Sequence, residues 1–209
     1  MNQQILLGFI LYSFVAAITP GPNNIMLLAS GLNFGFKRSI SHMCGITIGF
    51  ALMLVIVGAG IHQVFDAYPI IHIIMQYLST VYIIYLAIKI AFSPTINVSN
   101  TSSNIRPMTF FNALMFQWIN PKAWMMGVVA LTSYSLHNYY PLNIFLITSI
   151  ATIVGIPSLC FWAYCGSYLK RYLEKPHYLK IFNLLMGLLL IISIIPTLIE
   201  LFKMVFSVH

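Results

Sequence analysis

Charge is scarce in this sequence, and negative charge is scarcest. Of 209 residues only 6% are charged, and three of those are acidic: Asp66, Glu174 and Glu200. A soluble domain carries about 25% charged residues, so this surface is not built for water. The shortage of carboxylates also argues against a divalent-metal exporter, which needs hard oxygen or imidazole ligands inside its bundle. Cysteine is equally rare, at three residues. Cys44, Cys160 and Cys165 form no C-x-x-C motif, and they read as small, polarizable packing residues. A transmembrane thiol–disulfide reductase would need a cysteine pair on its first and fourth apolar stretches, and neither stretch has one. The opening Met1-Asn2-Gln3-Gln4 lacks a basic n-region, which predicts that the first apolar segment is retained rather than cleaved as a signal peptide.

What the chain has is apolar length. Hydrophobic residues make up 60% of it, with a mean hydropathy of +0.91. A span needs about 20 apolar residues, and six candidates lie at roughly 5–30, 40–61, 70–92, 109–135, 142–167 and 179–206. The net charge of +7 could suggest a nucleic-acid partner, but the positions of the basic residues argue for a lipid bilayer and no nucleic acid. Lys37 and Arg38 lie between spans one and two. Lys89 and Arg106 flank the third connection, and Lys170, Arg171, Lys175 and Lys180 flank the fifth. Only Lys203 lies near the other face. Loops rich in Lys and Arg stay in the cytoplasm, which predicts a multi-pass membrane protein with loops one, three and five in the cytoplasm and both termini outside.

Two interruptions stand out in the apolar pattern. Span one is broken by Thr19-Pro20-Gly21-Pro22-Asn23-Asn24, and span four by Gln117-Trp118-Ile119-Asn120-Pro121-Lys122. Proline removes a backbone donor and clashes with the preceding turn. Inside a bilayer such a break is tolerated only where it is buried in protein or lines a cavity. Asn is a preferred N-cap and Pro suits the first helical position, so each break reads as a fresh helix start at mid-membrane. A helix start carries unpaired N–H groups and partial positive charge, which favour an anion. With Lys122, two such starts suit a carboxylate. Thr19, Asn23, Asn24, Gln117 and Asn120 offer hydrogen bonds to the rest of a small zwitterion. The alternative is that the prolines only kink the helices, the Asn side chains satisfy freed backbone groups, and Lys122 is capped by carbonyls or snorkels to an interface.

The long polar connection at 93–108, with Pro94 and Pro107, reads as a linker. It divides one domain, 1–209, into a first repeat at 1–92 and a second at 109–209. Three spans per repeat is odd, so homologous halves would be inverted, a known transporter arrangement.

These residues resemble the LysE/RhtB family of bacterial amino-acid exporters. The likeness runs along essentially the whole chain. It rests on Thr19-Pro20-Gly21-Pro22-Asn23, on Gly35-Phe36-Lys37-Arg38, on Gly45 and Gly49, and on Phe116 through Lys122. Tyr85 through Thr95 and Gly127 through Ser133 resemble the cysteine/O-acetylserine branch. The resemblance implies efflux of a small amino acid from the cytoplasm, driven by the proton gradient, with no cofactor and no enzymatic activity. Threonine, homoserine or leucine is an alternative cargo, and a homo-oligomer is possible.

The expected fold is therefore an all-α integral membrane protein of six transmembrane helices in two inverted three-helix repeats, with helices 1 and 4 broken at prolines. Proton coupling has weaker candidates. His42 is either a relay or a satisfied interfacial histidine, and Glu200 lies near the end of span six. Gly45 and Gly49 read as helix-packing residues. Tyr77, Tyr82 and Tyr85 read as packing or interface residues that could instead line a cavity.

Overall fold

The structure of the protein is a computed structural model, which describes residues 3–61, 69–92, 107–134, 140–170, 172, 176–195 and 198–199. Among the described residues every regular element is helical: α1 (Gln3–Ile18), α2 (Pro22–Phe34), α3 (Phe36–Ile56, continued by a π turn at Val57–Ile61), α4 (Pro69–Ala91), α5 (Phe110–Ile119), α6 (Pro121–Tyr134), α7 (Tyr140–Lys170) and α8 (Pro176–Ser193). Two helices, Phe36–Gly60 and Pro141–Lys170, are long and apolar enough to cross a membrane by themselves. The pair α1 and α2 passes the same test together, bent by 54° at the break. Most of the linker predicted at 93–108 lies outside the described residues, as does Glu200.

The boundaries follow from local chemistry. Pro20 and Pro22 end α1 and restart the chain as α2, with Pro22 at the first helical positions after Gly21. Asn120 adopts an extended conformation (φ −86°, ψ 107°) that separates α5 from α6. The following Pro121 disfavours the helical region for the Asn120 backbone. Thr109 caps α5 by accepting from the Asn112 N–H at 3.3 Å. Gly35 makes the whole turn between α2 and α3 at φ +86°, a conformation glycine adopts without strain. Because that turn is a single residue, Lys37 and Arg38 belong to the first turn of α3, not to a loop.

Polarity is arranged inside out. Leu11, Val81, Phe145 and Ile153 are each about two-thirds exposed on the outside, whereas Gln117 and Asn183 are fully buried. An apolar exterior, with polar side chains such as these drawn into the core, suits lipid as solvent. The interior packs as separate clusters. One joins Phe9 of α1, Met53 and Leu54 of α3, Ala123 and Ala130 of α6 and Ile147 of α7. Another joins Leu27 of α2, Met43 and Ile46 of α3, Ala113 of α5 and Ala163 of α7. A third brings α4 and α8 against α2 through Ile83, Leu190 and Ile25.

Glycines set the closest helix contacts. A Cβ on Gly31 would collide with the Ala163 carbonyl, and one on Gly166 with the Leu28 carbonyl, locking α2 to α7. A Cβ on Gly45 would collide with the Phe110 carbonyl, and one on Gly49 would sit 2.6 Å from the Leu114 oxygen, holding α3 to α5. Small residues allow this backbone approach in membranes. The packing expected of Gly45 and Gly49 is what the structure contains.

Candidate functional site

The two helix breaks meet. The Asn23 amide donates to Gln117 Oε1 at 2.8 Å, and Gln117 Nε2 donates back to Asn23 Oδ1 at 3.2 Å. Gln117 also gives a hydrogen to the Ala113 carbonyl at 2.9 Å. Lys122 crosses to the first break, donating to the Thr19 carbonyl at 2.6 Å and the Thr19 hydroxyl at 2.9 Å, with the Pro20 carbonyl at 3.4 Å. Gly21 makes room for it, since a Cβ there would lie 2.6 Å from Lys122 Cδ.

The carbonyls freed at the end of α1 are accounted for one by one. Thr19 N–H bonds the Val15 carbonyl at 3.1 Å. The Thr19 hydroxyl takes the Ala16 carbonyl at 2.9 Å. Asn24 donates to the Ala17 and Thr19 carbonyls at 2.7 and 2.8 Å. The Trp162 indole reaches across from α7 to the Ile18 carbonyl at 3.1 Å. Orphaned backbone groups in an apolar interior are costly, and here side chains replace the missing helical donors. The second break is closed by Asn120, whose Oδ1 accepts from Lys122 N–H at 3.1 Å as an N-cap, and by Trp124, whose indole donates to the Trp118 carbonyl at 2.8 Å. The start of α2, in contrast, has no side-chain cap.

Beside the breaks lies a cavity of about 70 Å³. One water needs about 10–15 Å³ on this measure, so the space holds about five water-sized bodies, the scale of a small solute. Gly21, Asn23, Asn24, Gln117, Asn120 and Lys122 line it. The remaining expected site residues do not. Pro22 and Pro121 occupy helix starts and shape the breaks. Thr19 and Pro20 are exposed and act through their contacts with Lys122. The cavity sits where the clusters abut, since Ile46 of one and Ala123 of another both face it.

Two walls were not anticipated from the sequence: Thr47 and Phe50 of α3, and Ala151, Thr152 and Gly155 of α7. No break was expected in either stretch, although Pro157 follows Gly155 by two residues, and α7 runs on through that proline as one helix. Of the weaker candidates, His42 is 1% exposed, with neither ring nitrogen hydrogen-bonded. It lies one turn before Ile46 and outside the cavity wall. None of the three tyrosines lines the cavity: Tyr82 packs on Phe116 at 5.7 Å between ring centroids, and Tyr77 and Tyr85 are exposed. The cysteines sit on α3 and α7 without disulfides.

The family profile described as LysE type translocator matches residues 14–194. The chain belongs to the LysE family. It is 30% identical over 193 residues to a protein named cysteine/O-acetylserine efflux protein from Salmonella typhimurium, covering 91% of this chain and 96% of that one. The protein of the same name from Escherichia coli K12 is 30% identical over 195 residues, at the same coverage of both chains. No solved structure gives a significant match. As a LysE translocator this protein is a transporter and not an enzyme.

Proposed function

We propose that this LysE protein exports small amino acids of the cysteine and O-acetylserine class from the cytoplasm across a bacterial inner membrane. The observation that carries the reading is the convergence of both helix breaks on one cavity, tied by the Asn23–Gln117 pair and the Lys122–Thr19 contacts. The breaks, the amide pair and the lysine then form parts of a solute path. The relatives' names supply the solute class. Threonine, homoserine and leucine are the other cargo within the same reading.

The substrate carboxylate meets the uncapped N–H groups at the start of α2 and the Lys122 ammonium. The partial positive charge of a helix start and a full one nearby both favour it. Lys122 already holds carbonyls of the first break, so it serves two purposes: it steadies that break and keeps positive charge at the cavity. The amides of Asn23, Asn24, Gln117 and Asn120 bind the rest of the solute.

The proposed architecture has six spans, with α1–α2 and α5–α6 as the two broken ones. Inverted halves are supported by reciprocal packing, with the first broken span on α7, the second on α3, and α4 on α8. Rocking of the halves exposes the cavity to each side in turn. Export against a gradient needs a coupled ion, and the proton is the proposed one, with His42 as its carrier.

The test is efflux from cells loaded with a dipeptide panel. Asn23→Ala, Lys122→Ala cells accumulate amino acids to the level of cells lacking the protein, while the variant still inserts in the membrane. Wild-type efflux by that double variant would sink the site assignment.

A further inference from the structure

Gly155 differs from the other glycines in the helices. Gly31, Gly45, Gly49 and Gly166 each face a neighbouring backbone so closely that a Cβ would collide. A Cβ on Gly155 would meet nothing within 4 Å. Its backbone is not in the left-handed region, so no turn requires glycine there. Glycine is the poorest helix former after proline, and here neither packing nor conformation demands it. What the missing side chain leaves is space, because Gly155 lines the cavity.

One turn earlier on the same wall is Thr152. A buried helical Ser or Thr commonly bonds the carbonyl one turn back, as Thr47 does to Met43 at 2.9 Å. Thr152 does not: its Oγ1 is out of solvent contact and has no hydrogen-bond partner. A buried hydroxyl left unpaired is unfavourable. Thr148 and Ser158 of the same helix are unpaired too, but of the three only Thr152 lines the cavity, where rotation about χ1 would turn the hydroxyl from its dry position onto a solute with a matching group. The amides and Lys122 belong to the other lining helices, and the proposed function gives them the α-amino-acid backbone common to every substrate. The α7 wall has no such duty.

We propose that Thr152 and Gly155 form the subsite for the substrate side chain, selecting short side chains that carry a hydroxyl, thiol or ester oxygen over apolar side chains of equal length. Gly155 supplies the depth and Thr152 the polar contact. This rests on the export reading above. It adds a division of labour, in which the broken helices hold the zwitterion and α7 reads the side chain.

The experiment uses the purified full-length protein in proteoliposomes, measuring counterflow of serine, cysteine, O-acetylserine and 2-aminobutyrate. The last matches cysteine in size and lacks the heteroatom. Wild type prefers serine and cysteine to 2-aminobutyrate by about fivefold or more, the worth of one hydrogen bond. Thr152→Val brings that ratio close to one without slowing 2-aminobutyrate, and Thr152→Ser restores it. Gly155→Ala lowers O-acetylserine transport about tenfold while serine changes little, and Gly155→Val blocks all but the smallest solutes. Size-exclusion profiles confirm that each variant is folded. Unchanged ratios in Thr152→Val and Gly155→Ala, or a parallel loss for all solutes, would overturn the subsite while leaving export intact. A wild-type protein that moves none of the four overturns the export reading, and the subsite with it.

Discussion

Asn23 and Gln117 each place an amide where a lone one would be stranded, and each satisfies the other. Removing Asn23 takes the donor from the buried Gln117 Oε1, while Gln117 Nε2 keeps the Ala113 carbonyl. Removing Gln117 takes both hydrogen bonds of the pair from the partly buried Asn23. Each loss costs about 1–3 kcal/mol. Removing both strands neither. Asn23→Ala and Gln117→Ala should each lower thermal stability in detergent, and the double variant should lose less than the sum. The coupling should be about 1 kcal/mol, in the range measured for hydrogen bonds between membrane helices. Additive losses would mean that the pair is not formed. Lys122→Met tests a different role. It withdraws the donor from the Pro20 carbonyl, whereas the Thr19 carbonyl keeps Asn24. Stability should fall modestly, and efflux, scored by amino-acid release, should fall tenfold or more. This set was legible in the sequence because Pro and Gly in an apolar run free backbone groups, and polar residues beside them mark where those groups are met. Thr152 and Gly155 were not legible. Threonine in a span usually bonds its own helix and glycine usually packs. Whether either does is decided by neighbours far away in the chain.

At the scale of elements, the breaks and the glycine contacts make opposite demands on the backbone. Pro121 keeps Asn120 out of the helical region. In Pro121→Ala that restriction is lifted, α5 can run into α6, and Asn120 and Lys122 rotate off the cavity. Efflux should drop to background while the protein still inserts and remains monodisperse. The glycine contacts allow no such freedom. Gly49→Val forces a side chain against the Leu114 backbone, and overpacking of this kind costs about 1–3 kcal/mol or more. Its melting temperature should fall by several degrees, whereas Gly155→Ala should match or exceed wild type, since its Cβ enters open space and alanine favours helix by about 1 kcal/mol. Equal losses in the two variants would refute the contrast. Helix positions were readable from hydropathy, but their ends were not. α3 begins at Phe36, before the expected 40, because one glycine turns the chain, and α7 extends to Lys170 through Pro157.

For the whole molecule, the proposed six-span arrangement puts Lys37, Arg38, Lys89, Lys170 and Lys180 at one end of the bundle, the end expected in the cytoplasm from the positive-inside pattern. The close backbone contacts of Gly31, Gly45 and Gly166 lie toward that end, and that of Gly49 is level with the breaks, beside Leu114 and Gln117. Toward the other end the glycine neighbours are side chains, Ile144 beside Gly58 and Leu54 and Met53 beside Gly127. Side chains can rotate aside, whereas backbone in contact must part as a body. In the proposed arrangement these contacts hold the basic side together, and the proposed cycle requires α2 to separate from α7 and α8 there. Asn33 of α2 and Asn183 of α8 span that division, with Asn33 Nδ2 donating to Asn183 Oδ1 at 3.2 Å. In a background with Cys44, Cys160 and Cys165 replaced by serine, Asn33→Cys and Asn183→Cys bridged by a short bis-thiosulfonate should abolish counterflow. Reduction should restore it, which separates locking from misfolding. Each single variant treated with the same reagent should keep transporting, because a tethered group on one helix leaves the halves free to part. Transport that continues in the bridged protein would show that this end never opens, and the solute would then need a route other than between the two repeats.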